Sequence, residues 1–297
     1  MLNRLVFILV ALGAGISPAQ AIDLMPEDVV APRPGFTQIQ IAHIDSHREG
    51  LYVRGTNILP SAELDISQTS IRLGRSFLWA GRPSFFYALL PYGKVDPEGG
   101  PLSTLNSPSR AGDLVLTLAT WPYADREQQE YVGLAAYLVL PTGNYNPENT
   151  RLINTNLGEN WTRAALQAGY YRRLVGPLNW MAAFDTVWFT SNDEYYGTSP
   201  VMGKLTRRPL STAQTALSYN FTEKINGSVN VLYTAGGNTS FDGVSNDNSV
   251  RVQRYIVSGN LLTDFGRVTL QWGGDFETES GFKEKRRLAL RLTRAFP

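Results

Sequence analysis

From Phe36 onward, apolar and polar residues exchange at every second position through a succession of short segments. In RRLALRLTRAF, residues 286–296, Leu288, Leu290 and Leu292 share one face with Phe296, and Ala289, Arg291 and Thr293 share the other. Period two over this length predicts a strand, because a helix would space apolar residues three and four apart. One leucine face and one face carrying Arg291 ask for apolar surroundings on one side and polar ones on the other. The closing strand of an outer-membrane barrel meets that demand; so does a half-buried edge strand of a soluble sandwich.

The same alternation runs back along the chain. Ile39 and Ile41 oppose Gln38 and Gln40; Leu64 and Ile66 oppose Asp65 and Ser67 in a segment Glu63 to Ser76 whose far half has no clean period. Phe85, Tyr87 and Leu89 follow a Gly81-Arg82-Pro83 turn, and Leu114, Leu116 and Leu118 share a face within Asp113 to Trp121. Glu130 to Leu140 is apolar enough to be a strand of either face. Ala164, Leu166, Ala168 and Tyr170 oppose Arg163, Gln167 and Gly169, and Phe184 and Trp188 oppose Asp185. Ala213 to Phe221 and Ile225 to Thr234 form a hairpin, Val250 to Leu262 is a strand bulged at Arg254, and Val268, Leu270 and Trp272 oppose Arg267, Thr269 and Gln271.

These segments amount to about twelve strands. Their connections alternate long and short: Ser46–Ser61, Pro91–Gly112, Pro141–Asn160, Ser191–Pro209, Gly236–Asn248 and Gly273–Lys285 are long, and the turns between them short. A transmembrane barrel has this asymmetry, and an even strand count puts both chain ends on the short-turn side. The predicted fold is therefore all-β, an up-and-down antiparallel transmembrane barrel of about 12 strands over residues 36–297, its last strand closing on Phe36 to His43. An arginine on the lipid face near the bilayer midplane costs roughly 2–4 kcal/mol, which assigns the charged faces to the lumen. The predicted lumen-lining set is Arg163, Gln167, Asp185, Asn226, Ser228, Asn230, Arg267, Gln271, Arg287 and Arg291. Arg294 falls on the Leu292 row and is expected to snorkel at the periplasmic interface. The six tryptophans, mostly near strand ends, read as an aromatic girdle.

Composition adds what periodicity cannot. Arg4, the apolar run Leu5 to Ile16 and Ala19-Gln20-Ala21 read as a signal peptide over 1–21, with cleavage before Ile22. Residues 22–35, with Pro26, Pro32 and Pro34, read as an extended leader that can lie in the lumen. Of 27 Lys+Arg, Arg4 leaves with the signal peptide, so 26 remain against 26 Asp+Glu. A neutral mature chain argues against a nucleic-acid partner. The absence of cysteine excludes disulfides and thiolate metal sites.

Gly112-Asp113-Leu114, the run Tyr137-Leu138-Val139-Leu140-Pro141-Thr142-Gly143-Asn144-Tyr145, Asn156-Leu157-Gly158, Ser191-Asn192-Asp193 and Leu205 to Leu210 resemble the meta-pathway phenol-degradation family of outer-membrane transporter barrels. The resemblance implies a barrel in the outer membrane of a Gram-negative cell that admits small, apolar or aromatic compounds. Its partners would be outer-membrane lipids, a small-molecule permeant and the barrel-assembly machinery. It brings no cofactor and no catalytic residue.

The histidines, His43 and His47, bracket Asp45 and Ser46. A barrel-borne lipid hydrolase using Ser46 with His43 or His47 is one alternative, since a nucleophile needs its base within hydrogen-bond reach. His43, Asp45 and His47 would share one strand face, but three ligands along one strand span too far for a metal. Acidic loop residues such as Glu148 and Asp242 read as solvated. A further alternative is a closed, structural barrel whose polar face is only a satisfied core.

Overall fold

The computed structural model describes residues 23–105 and 108–297; the expected signal peptide and its cleavage point lie outside the described residues. Twelve strands build the barrel: β1 (Thr37–Val53), β2 (Thr56–Trp79), β3 (Arg82–Glu98), β4 (Leu114–Asp125), β5 (Glu130–Leu140), β6 (Arg163–Val175), β7 (Leu178–Phe189), β8 (Leu210–Asn220), β9 (Ile225–Gly236), β10 (Val250–Thr263), β11 (Gly266–Thr278) and β12 (Gly281–Phe296). Each pairs antiparallel with its neighbour in sequence, and β12 closes on β1 from Thr37↔Phe296 to Tyr52↔Gly281. Closure gives each of the twelve strands a partner on both sides, as a strand in hydrocarbon requires. Leu288, Leu290 and Leu292 face outward, while Ala289 is buried and Arg291 points inward to the leader. The irregularity expected at Arg254 is a register shift between Gln253 and Arg254.

Two of the expected long loops are not loops. Residues 46–61 continue β1 and β2 to a tight turn at Arg54-Gly55, and residues 273–285 continue β11 and β12 to a turn at Glu279-Ser280. Likewise β3 runs on to Glu98. The reason is a reversal of polarity along an unbroken strand. In β2, the odd positions from Glu63 to Leu73 face outward. Low in the wall these are Ile71 and Leu73, 56% and 55% exposed; higher up they are Asp65 and Glu63. The even positions change in the opposite sense, from Arg72 and Ser70 to Ile66, Leu64 and Ala62. Below, the outside is hydrocarbon and the inside polar; above, the outside is water and the inside is an apolar cluster of Leu51, Leu64, Ile66, Val95 and Phe282 with Ile153 and Leu157 from a long loop. This inversion is why the far half of this strand shows no single period.

The remaining connections at that end are long, residues 99–113, 141–162, 190–209 and 237–249, whereas the other end has turns of two to four residues. Short strands Asn192–Tyr195, Gly203–Arg207, Thr239–Phe241 and Val244–Ser245 join two of the long connections in a small sheet over the barrel mouth. Long connections face the cell exterior in barrels of this class.

The tryptophans divide. Trp79, Trp188 and Trp272 are exposed on the outer wall, but Trp121 and Trp161 are buried, one inside the barrel and one under the external loops. They correct the girdle reading: Trp121 lies out of phase with Leu118, on the inward row with Thr117 and Ala119.

Candidate functional site

The leader enters the barrel from the short-turn end and fills part of its lumen. Gly35 donates its N–H to the Ser76 carbonyl (2.9 Å), and the Ser76 hydroxyl donates to the Arg33 carbonyl (2.6 Å). Beyond these anchors a single 3-10 turn, Pro26–Val29, lies inside, with Met25, Val29 and Ala31 buried. Trp121 Nε1 donates to the Val29 carbonyl (2.7 Å), and Asn230 Nδ2 to the Leu24 carbonyl (2.9 Å). Two glycines paired across β5 and β6, Gly133↔Gly169, make the floor for these groups. A Cβ on Gly133 would stand 3.1 Å from the Trp121 indole nitrogen, and one on Gly169 3.1 and 3.2 Å from the two Val29 methyls. Three contacts of charged side chains hold the leader as well: Asp23 pairs with Arg287 (3.3 Å), Asp28 with Arg291 (3.3 Å), and Arg126 donates to the Pro32 carbonyl (2.9 Å).

Beside the leader remains a cavity of about 310 Å³, at the lower end of the roughly 300–1,000 Å³ of small-molecule sites. One wall is aromatic and apolar, from Phe85, Tyr87 and Leu89 on β3, Trp121 on β4 and Tyr137 on β5. The other is polar, from Gln38 and Gln40 on β1, Arg72 on β2, Arg267 and Thr269 on β11, and Arg291 on β12. This division follows from the sequence, since β3 to β5 carry aromatics on their inward rows where β1, β2, β11 and β12 carry amides and arginines.

Of the residues singled out from sequence, Arg267 and Arg291 line this cavity, as does Gln167, whose side chain accepts from the Tyr137 hydroxyl (2.7 Å). Arg287 and Gln271 line a smaller neighbouring cavity with Asp23. Asp185 is fully buried on the inward row of β7. Ser228 bonds Ser258 (2.6 Å) and Asn226 accepts from Asn260 (2.8 Å), a cross-strand ladder that Asn230 extends to the leader. Arg163 sits apart, under the external loops, 3.2 Å from Glu159.

Sequence reasoning missed a buried charge cluster near the external mouth. Arg254 pairs with Asp275 (2.8 Å) and Glu284 (3.0 Å), Arg48 lies 3.7 Å from Glu284, and the Ser46 hydroxyl donates to Glu284. Arg48, Asp275 and Glu284 fall in stretches read as loops, and Arg254 follows the bulge that shifts its phase. Arg72 was missed because it lies where the polarity of β2 reverses.

Ser46 and the histidines stand on opposite faces of the wall. His43, Asp45 and His47 point outward, with His43 Nε2 3.1 Å from Asp45 and His47 Nδ1 2.7 Å from Asp65, whereas Ser46 is buried inside. The barrel wall separates hydroxyl from imidazole, so neither histidine can serve Ser46 as base.

Four of the motifs that carried the family resemblance meet in one external knot. Gly112, Gly143 and Gly158 touch backbone to backbone: a Cβ on Gly143 would meet Gly112 carbon at 2.6 Å and Gly158 Cα at 2.8 Å. Asp113 accepts from the N–H groups of Gly143 and Glu159 (both 3.0 Å). Burial, and then the neighbouring Glu159, push its carboxyl above the ordinary value. Asn192 Nδ2 donates to the Tyr145 hydroxyl (2.8 Å) and to the Glu159 carbonyl (3.1 Å), tying the third long connection to the second. Burial raises the Tyr145 phenol to about 12.

Comparison with solved structures finds a near-complete overlap with an outer-membrane channel from Pseudomonas putida F1, at 28% identity and a TM-score of 0.86, covering 92% of this chain and 100% of that one. The β domain of the Bordetella autotransporter BrkA shares the fold, at 10% identity and a TM-score of 0.55, covering 89% of this chain and 100% of that one. A comparison with curated proteins gives no match. The family model described as "Putative MetA-pathway of phenol degradation" matches residues 53–292, and the chain belongs to that family.

Proposed function

We propose that the protein is an outer-membrane channel, not an enzyme, that admits small apolar or aromatic compounds, with the leader as its gate. One observation carries the reading: the lumen holds a cavity with a wall of Phe85, Tyr87, Leu89, Trp121 and Tyr137, occluded by a segment of the chain's own N-terminus. A structural barrel has no use for aromatic side chains facing an unfilled lumen, since a closed core of that size packs without voids. The similarity to the Pseudomonas channel and membership of a family described by phenol degradation support the same reading. The lumen-lining residues Arg267, Arg291 and Gln167 take part in the passage, with Arg287 and Gln271 beside it. Residues 1–21 direct export and are removed, and the barrel-assembly machinery inserts the mature chain.

The test compares uptake of aromatic compounds by cells with and without the gene, alongside single-channel recording of the purified barrel. Residues 22–35 replaced by a Gly/Ser segment should raise conductance, and cells lacking the gene should lose uptake. No uptake defect together with no conductance, even without the leader, overturns the reading in favour of a closed structural barrel.

A further inference from the structure

Charge is partitioned in the cavity in a way that an uncharged cargo does not require. Every acidic residue that lines it, Asp23, Glu27 and Asp28, belongs to the leader; every basic one, Arg72, Arg267 and Arg291, belongs to the barrel wall. Among the described residues Arg72 and Arg267 form no ion pair, and Arg291 is paired only to Asp28 of the leader, at 3.3 Å. Arg72 donates one hydrogen bond, to Gln38 Oε1 (2.7 Å), and its Nε is buried without a partner. Its guanidinium stands 5.0 Å from the Tyr87 ring centroid and 6.0 Å from that of Phe85, at the seam between the aromatic and polar walls.

A guanidinium removed from water is costly unless a counter-charge meets it. At rest the leader pairs Arg291 directly through Asp28 and places two further carboxylates, Asp23 and Glu27, in the same cavity. If the leader withdraws, all three carboxylates leave together and the wall keeps three arginines facing a ring-lined space. Arginine's planar fork fits a carboxylate, with two parallel N–H donors to its two oxygens.

We propose that, within the channel reading above on which this rests, the preferred permeant is an amphipathic monocarboxylate: one carboxylate on an apolar or aromatic body. Its carboxylate takes the seat beside Arg291 that Asp28 holds in this structure, in the cavity that Arg72 also lines, and its body lies on Phe85, Tyr87 and Trp121. Asp28 is then an internal surrogate for the cargo's head group, and cargo and leader compete for one site. No bond is made or broken.

The experiment titrates the full-length purified barrel in detergent with benzoate, benzyl alcohol and benzylamine, which share a body and differ in charge. Calorimetry gives the affinities and block of the single-channel ion current gives occupancy of the lumen. Benzoate should bind at least tenfold more tightly than either other probe. Arg72→Gln and Arg291→Gln should each reduce that preference below twofold, with Arg72→Lys retaining part of it. Asp28→Asn, which removes the competitor's charge, should raise benzoate affinity several-fold. Heat-modifiable migration verifies that each variant is folded. Equal binding of benzoate and benzyl alcohol, a preference that survives Arg72→Gln, or benzoate affinity unmoved in Asp28→Asn overturns the inference and leaves the channel reading standing. No binding and no block by any of the three probes overturns both.

Discussion

Replacing Gly169 by leucine should loosen the leader through a change in the barrel wall, with the leader's own sequence intact. The glycine lies in β6, opposite Gly133 on β5, with a Cβ position already 3.1 and 3.2 Å from the Val29 methyls. An alanine there requires Val29 to give by a few tenths of an ångström; leucine places three further carbons in occupied space. Overpacking of this kind costs roughly 1–3 kcal/mol. The groups it displaces are worth a similar amount: burying the Val29 side chain contributes about 1.5–3 kcal/mol, and the Trp121 hydrogen bond to its carbonyl about 1 kcal/mol. The barrel's own ladder is unaffected, since Gly169 keeps an ordinary strand conformation. At 1.4 kcal/mol per tenfold, the equilibrium between seated and unseated leader should shift by about 5- to 150-fold. Single-channel recording reads this as the ratio of open to closed dwell times, with Gly169→Ala intermediate. A Gly169→Leu barrel that migrates as folded and keeps the parent's dwell ratio would show that the leader does not gate the lumen.

Other perturbations probe the wall and the cap. Leu73→Arg, on the lipid face, should cost roughly 2–4 kcal/mol in a folding titration into bilayers, whereas Glu63→Leu, exposed on the same outward row above the membrane, should change stability by less than about 0.5 kcal/mol. Glu284→Ala leaves Arg254 and Arg48 buried without their shared carboxylate and should destabilise the barrel by about 3–5 kcal/mol, read as a lower temperature of heat-modified migration. The cap should loosen with rising pH. Asp113 has its folded value raised above the ordinary 3.8, so its contribution is intact below 3.8 and is lost as pH rises through the raised value. Limited proteolysis of residues 141–162 should accelerate across that window in the parent, and Asp113→Asn should abolish the dependence.

The membrane-facing wall was legible in the sequence because each strand obeys one rule across the membrane. Leu288, Leu290 and Leu292 alternate with Ala289 and Arg291, and lipid on one side and a polar lumen on the other read that alternation directly. Legibility failed where the solvent changed sides. Leu64 and Ile66 are as apolar as Ile71 and Leu73 but point the opposite way, because above the membrane the water is outside and the packing inside. A period-two pattern states which residues share a face; it does not state which face is wet.

By itself, then, the sequence determined local conformation, the strand number and the face of most side chains in the membrane, since these depend on a residue and its neighbours two positions away. Tertiary structure alone decided which distant groups meet. Asp28 reaches Arg291 across 263 positions, Glu284 reaches Ser46 across 238, and Gly133 and Gly169 open room for Trp121 and Val29. Barrel closure brings these together, and no local pattern encodes the partner of a charge or the occupant of a space left by a missing side chain. The aromatic and arginine walls of the cavity, each visible as an inward row on its own strand, become a site only because closing the sheet turns them to face each other.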